Sequence, residues 1–213
     1  MATNSSKSPP SGTVRVFVAV EIPAEVRAYL ASLQAVFRRH GRVVKLVDPS
    51  LMHLTLRFLG NVPALQLGTV EQTIRDSARD LSPFTLTLSQ LGAFPGGGRP
   101  RVVWAGLAAD DGYDALQRMF RELENRLILA GFPAETRPFA PHLTLARLRD
   151  GVSSEEARGV DETVIDLRGS REIRAIFRVS HLTLMRSDLD RGGARYTVLA
   201  QVPFERGLIV GGT

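Results

Sequence analysis

The stretch that most restricts how this chain can fold is His53-Leu54-Thr55-Leu56, which recurs at His142-Leu143-Thr144-Leu145. Side chains alternate between the two faces of a β-strand, so in each copy the histidine and threonine project together and the leucines point the other way. Each copy is therefore expected to be a strand with a buried leucine face and an imidazole-plus-hydroxyl face free for chemistry. Two such strands, side by side, present two imidazoles and two hydroxyls to one small anion. An unperturbed imidazole titrates at about pH 6.5, so one ring can take a proton while the other gives one. The threonines add hydroxyl donors that do not compete as bases. One copy of so short a pattern reads more simply as an amphipathic strand, and the weight rests on there being two in matching contexts.

Those contexts are similar. Residues 14–20 alternate as a strand, with Val14, Val16, Val18 and Val20 on one face and Phe17 on the other. Pro23 opens a helix whose apolar stripe is Val26, Leu30, Leu33 and Phe37, and Gly41 stops it. A short strand over 43–47 leads to the first motif strand, 53–59, ended by Gly60. Further on, a strand over 101–107 carries the only tryptophan, Trp104. A helix over 112–130 follows, with Leu116, Phe120, Leu123, Leu127 and Ile128 inward, and then the second motif. Val14 precedes His53 by 39 positions and Val102 precedes His142 by 40. An echo of this kind is the mark of a duplicated unit. It predicts two lobes related by a pseudo-two-fold axis, with the motif strands meeting at the centre. Between the two units a helix is expected over 63–81, a strand over 84–91 and a glycine loop over 95–100.

Three more residues are assigned to the cleft on weaker grounds. Arg57 shares the face of His53 and Thr55 in a regular strand. Arg147 is five positions past His142, an odd offset, and reaches the cleft only if the strand ends or bulges there. Phe17 is a candidate for stacking a base, although packing is the commoner fate of such a ring.

A third copy, His181-Leu182-Thr183-Leu184, lacks the duplicated surroundings. No strong amphipathic helix is expected between His142 and His181; residues 150–160 read as a loop or short helix. The strand over 173–185 changes phase near Ser180 and His181. His181 is therefore expected to be satisfied locally and to have no part in catalysis. A last strand over 196–204 is reached through Ser187 and a Gly192-Gly193 turn.

Composition closes off some chemistry. Without cysteine there are no disulfides, thiolate metal sites or cysteine nucleophile. Zinc wants three or four protein ligands, and neither motif holds a carboxylate, so no metal and no cofactor is expected. The N-terminal stretch lacks the apolar run of a signal peptide, and no segment approaches membrane-spanning length. A cytoplasmic monomer with no membrane partner is expected. One domain is expected over 13–206, with tails at 1–12 and 207–213. The net charge is +5, carried by 25 Arg against 2 Lys. The guanidinium fork matches phosphate oxygens, which suits a nucleic-acid partner, although a GC-rich coding sequence produces the same bias.

Three stretches taken together resemble the 2H phosphoesterase superfamily, and within it the RNA 2′,3′-cyclic phosphodiesterases once called 2′–5′ RNA ligases. They are Arg15-Val-Phe-Val-Ala19, Leu51-Met-His-Leu-Thr-Leu-Arg-Phe-Leu-Gly60 and Arg137-Pro-Phe-Ala-Pro-His-Leu-Thr-Leu-Ala-Arg147. The late Leu182-Thr-Leu-Met-Arg-Ser187 with Gly192 and Tyr196 also fits. The resemblance implies a bilobal α+β fold with antiparallel sheets lining a central cleft and helices outside. It implies hydrolysis of a 2′,3′-cyclic phosphate on an RNA end or nucleotide to a 2′-phosphate, with reversible 2′–5′ RNA ligation as an accompanying reaction. It puts the family's two histidines on His53 and His142, its hydroxyl positions on Thr55 and Thr144, and its following arginine on Arg147. By the same analogy His142 is the base and His53 the acid. The chain departs from the pattern at Lys45-Leu46-Val47, where many relatives carry an aromatic. A non-catalytic RNA-binding module on this fold and an enzyme for small cyclic nucleotides are the alternatives.

Overall fold

The computed structural model describes residues 12–96, 99–170, 172–190 and 193–205. The expected tails, save Gly12, lie outside the described residues, as do Gly192 and part of the 95–100 loop.

Alternation builds the strands. In β1 (Thr13–Glu21) Val16, Val18 and Val20 are buried on one face. In β3 (His53–Pro63) and β6 (His142–Leu148) the leucines of each motif are buried while the histidines and threonines stay partly open. The remaining strands are β2 (Val44–Leu46), β4 (Phe84–Phe94), β5 (Val102–Leu107), β7 (Ala175–Val179), β8 (His181–Asp190) and β9 (Gly193–Pro203). They form two antiparallel sheets, one ordered β3-β1-β8-β9 and the other β2-β6-β5-β4-β7. Each motif strand lies beside the strand that opens its own unit, β3 beside β1 and β6 beside β5, and β3 and β6 touch each other. The duplicated halves thus meet at the two motifs.

Four helices back the sheets. α1 (Ala24–Gln34) packs on β6 and β7, α2 (Leu67–Ala78) on β8 and β9, and α4 (Ser154–Ser170) on β4. α3 (Asp111–Leu129) packs along α2. One continuous apolar cluster, from Val16 to Phe204, joins both sheets to these helices. Among the described residues no helix is long and apolar enough to cross a membrane.

Several expectations need correction. α4 is a full helix where a loop or short helix was expected. Its buried positions, Ala157, Val160, Val164 and Leu167, do keep helical spacing, diluted by seven charged residues on the outer face. The strand expected over 173–185 is two strands in different sheets, broken at Ser180, where the chain passes from one lobe to the other. Gly60 does not end β3: its φ of +71° lets the strand turn and continue to Pro63. Ile128 is 44% exposed, because it sits about 100° around α3 from the buried Leu127.

Candidate active site

Two β-bulges at corresponding places decide which side chains face the cleft. In β3, Thr55 pairs with Ala19 and Arg57 with Val18, so Leu56 is an extra residue. In β6, Thr144 pairs with Trp104 and Ala146 with Val103, so Leu145 is extra. A bulge inserts one residue and reverses the alternation beyond it. Arg147, at an odd offset from His142, therefore joins the cleft face. Arg57, at an even offset from His53, leaves it. This overturns the placing of Arg57 beside His53 and Thr55. Its guanidinium is buried on the helix side, donating to Glu124 at 2.7 Å, to Glu135 at 3.4 Å and to the carbonyls of Phe58 and Pro133. The cleft position it vacates passes to Phe58, which pairs with Phe17 and is 48% exposed.

A buried amide holds the second bulge. Gln34, 4% exposed, donates from Nε2 to the carbonyls of Val47 and Leu145, each at 2.7 Å. The Leu145 carbonyl also accepts from the Val47 amide. Sequence reading passed over Gln34; a glutamine interrupting an otherwise apolar helix stripe was the available sign.

Both motif imidazoles are held alike. His53 Nδ1 lies 2.8 Å from the Leu51 carbonyl and His142 Nδ1 lies 2.7 Å from the Ala140 carbonyl, two residues back in each case. A carbonyl only accepts, so each Nδ1 carries the proton and each Nε2 is left for the cleft. His53 stacks on Phe17 at 4.7 Å and meets the edge of Tyr196 at 5.0 Å. Burial pushes the His53 imidazole below its ordinary pKa; the Leu51 carbonyl pulls the other way, and the nearby charge of Arg147 adds to the lowering. His142 meets the edge of Phe94 at 5.2 Å, and Phe94 stacks on Trp104 at 4.9 Å. The indole lies across Gly92 and Gly106; a Cβ on Gly92 would stand 2.1 Å from its ring. Only glycine allows that approach, so Gly92 sets the depth of the wall behind His142.

His53, Thr55, Phe58, His142, Thr144, Arg147 and Tyr196 line one cavity of about 140 Å³. Five of the seven residues assigned to the cleft from sequence meet there. Arg57 does not, and neither does Phe17, which is 1% exposed beneath His53 and offers no face for a base. Phe17 is a support for the imidazole; Phe58 and Tyr196 take the open aromatic positions. His181 lies outside this lining. Its Nε2 is 3.2 Å from Glu21, whose carboxylate also accepts from Thr183 and Gln201. Burial raises the Glu21 pKa, but the three hydrogen bonds outweigh it and hold the group as a carboxylate. Among the described residues no three His, Asp or Glu side chains are grouped to hold a metal ion.

Paired imidazoles with outward Nε2 atoms, flanked by hydroxyls and one guanidinium on a duplicated two-sheet frame, define a two-histidine phosphoesterase class of site. The comparisons with known proteins agree. The sequence profile described as LigT like Phosphoesterase matches residues 20–104 and 107–196. The chain belongs to that family. It is 32% identical over 184 residues to an RNA 2′,3′-cyclic phosphodiesterase of Methanothermobacter thermautotrophicus, covering 86% of this chain and 95% of that protein. It is 36% identical over 178 residues to one of Aeropyrum pernix, covering 81% and 93%. Its structure matches that of E. coli LigT complexed with 3′-AMP at a TM-score of 0.68 and 27% identity, covering 90% of this chain and 98% of that one.

Proposed function

We propose that this protein is an RNA 2′,3′-cyclic phosphodiesterase that opens a terminal cyclic phosphate to a 2′-phosphate, with His53 and His142 as its acid–base pair. One observation carries the reading: two imidazoles of fixed tautomer aim Nε2 into one small cavity that also holds two hydroxyls and a guanidinium. The names of the relatives point to the same reaction.

Arg147 stands close enough to His53 for its charge to act on that ring. A nucleoside 2′,3′-cyclic phosphate is directional: its base leaves the ribose beside O2′ and its 5′ chain leaves beside O3′. With the 5′ chain towards Arg147, O3′ lies on the His53 side. His142, neutral, takes a proton from water as its oxygen attacks phosphorus. The P–O3′ bond breaks, and His53, as imidazolium, protonates O3′. The product is a 2′-phosphomonoester and a 3′-hydroxyl, and proton exchange with solvent resets the pair. Thr55, Thr144 and Arg147 stabilise charge on the non-bridging oxygens.

The same proposal takes the protein as a monomer that acts without a metal, with residues 13–206 as one catalytic domain; the cleft residues of one chain are in keeping with it. An RNA substrate fits a cytoplasmic setting. The test is to incubate an RNA oligomer ending in a 2′,3′-cyclic phosphate with the protein in EDTA and map the product. A 2′-phosphate is expected. A 3′-phosphate would overturn the geometry, and activity lost in EDTA and restored by zinc would overturn the chemistry.

A further inference from the structure

A second cavity, of about 390 Å³, opens from the first and shares with it Val47, Leu51, Arg147 and Tyr196. It runs between β2, at the edge of one sheet, and the start of β9 in the other. Its far side is lined by Lys45, Leu46 and Gly193. Lys45 pairs with Arg147 across β2 and β6, so the two cations share the cleft face. A Cβ on Gly193 would lie 3.7 Å from Lys45 Nζ, so the lysine reaches across towards the opposite sheet. Lys45 is one of only two lysines in the chain, is exposed, and forms no ion pair among the described residues. The one carboxylate in the lining, Asp48, is engaged by the amide and hydroxyl of Ser50, which hold it below the usual carboxylate range.

The proposed reaction does not use this cavity: the cyclic phosphate is accounted for by the histidines, threonines and Arg147. Pockets for small ligands start at about 300 Å³, so there is room for a further nucleotide. Resting on the proposed function, we infer that this groove is a subsite for the penultimate nucleotide of an RNA chain. The phosphodiester joining it to the terminal ribose lies against Lys45, and its sugar and base lie against Leu46, Val47 and Tyr196. The direction follows from the substrate: the 5′ chain leaves the ribose on the O3′ side, which faces His53, Arg147 and this groove. The groove therefore favours an oligonucleotide end over a free cyclic mononucleotide.

The test compares a dinucleotide ending in a 2′,3′-cyclic phosphate with the matching nucleoside 2′,3′-cyclic phosphate. One charge-assisted contact predicts kcat/KM on the order of tenfold higher for the dinucleotide. The log–log salt dependence of its kcat/KM should be steeper by about 0.7, the single-strand value for one further neutralised phosphate. Lys45→Gln should bring the dinucleotide-to-mononucleotide ratio close to one and remove the extra salt slope, and Lys45→Arg should restore both. A ratio near one in the wild type, or a preference that Lys45→Gln leaves intact, would overturn the subsite. Failure to turn over either substrate would overturn the proposed function instead. The subsite is then judged by equilibrium binding of the 2′-phosphorylated dinucleotide against the mononucleotide, with the same variants and the same expected loss.

Discussion

At the scale of single residues, His53 carries a property that can be measured: burial lowers its pKa. The folded chain therefore binds that proton less readily than the unfolded chain. Above about pH 6.5 both states hold a neutral ring and nothing is gained or lost. As pH falls below that value the unfolded state protonates first, so stability declines until the folded pKa is passed. The urea midpoint should fall more between pH 7.5 and pH 5.5 in the wild type than in His53→Gln; equal falls would show that burial does not lower the His53 pKa. Removing either imidazole of the proposed acid–base pair, as in His53→Ala or His142→Ala, should lower kcat by about 10²–10⁴-fold. The double variant should lose little more, since the two act as one unit. His181→Gln should stay within a few-fold of wild type in kcat, since its ring is turned to Glu21. A loss as deep as that of His142→Ala, in a folded protein, would show that the pair is wrongly chosen.

At the scale of elements, the bulges and the groups that hold them govern the site. Gln34→Leu removes the donor to the Val47 and Leu145 carbonyls at the β6 bulge. A cost of about 1–3 kcal/mol is expected from the carbonyl left unpaired. Since the bulge also aims Arg147, kcat/KM should fall alongside the urea midpoint; unchanged kcat/KM would mean that the bulge holds without Gln34. Arg57 joins β3 to α3 and to the segment before His142, through Glu124, Glu135 and the Pro133 carbonyl. Arg57→Ala strips the half-buried Glu124 of its cationic partner, leaving it only the Glu135 amide, and should cost about 1–3 kcal/mol. Arg57→Ala with Glu124→Gln should recover part of that, because the uncompensated charge is gone.

At the scale of the whole molecule, two open sheets touch where β3, an edge strand of one, meets β6, an inner strand of the other, and the pocket forms there. The dyad is broken where it matters for a directional substrate: corresponding bulges deliver Arg147 in one lobe and Phe58 in the other. Phe58→Ala should therefore raise KM for the terminal nucleotide more than it lowers kcat. Equal loss in both for substrates with and without a base would show that the ring serves only to close the cavity.

The sequence by itself determined the motif strands, their inward leucines, the duplication and the two histidines with their threonines, because a period of two and a repeated interval are written in local order. It did not determine which way Arg57 and Arg147 point. Strict alternation sends Arg57 in and Arg147 out, and the structure does the reverse, because one extra residue in each motif strand, Leu56 and Leu145, changes the parity. Whether a strand absorbs an extra residue depends on its neighbour's register and on a distant donor such as Gln34, and neither is local. The same holds for Phe17, whose face is set by its own strand but whose burial is set by His53 and Tyr196 closing over it. It holds again for the 173–185 stretch, continuous in pattern yet divided between two sheets, because only packing decides which lobe a strand joins.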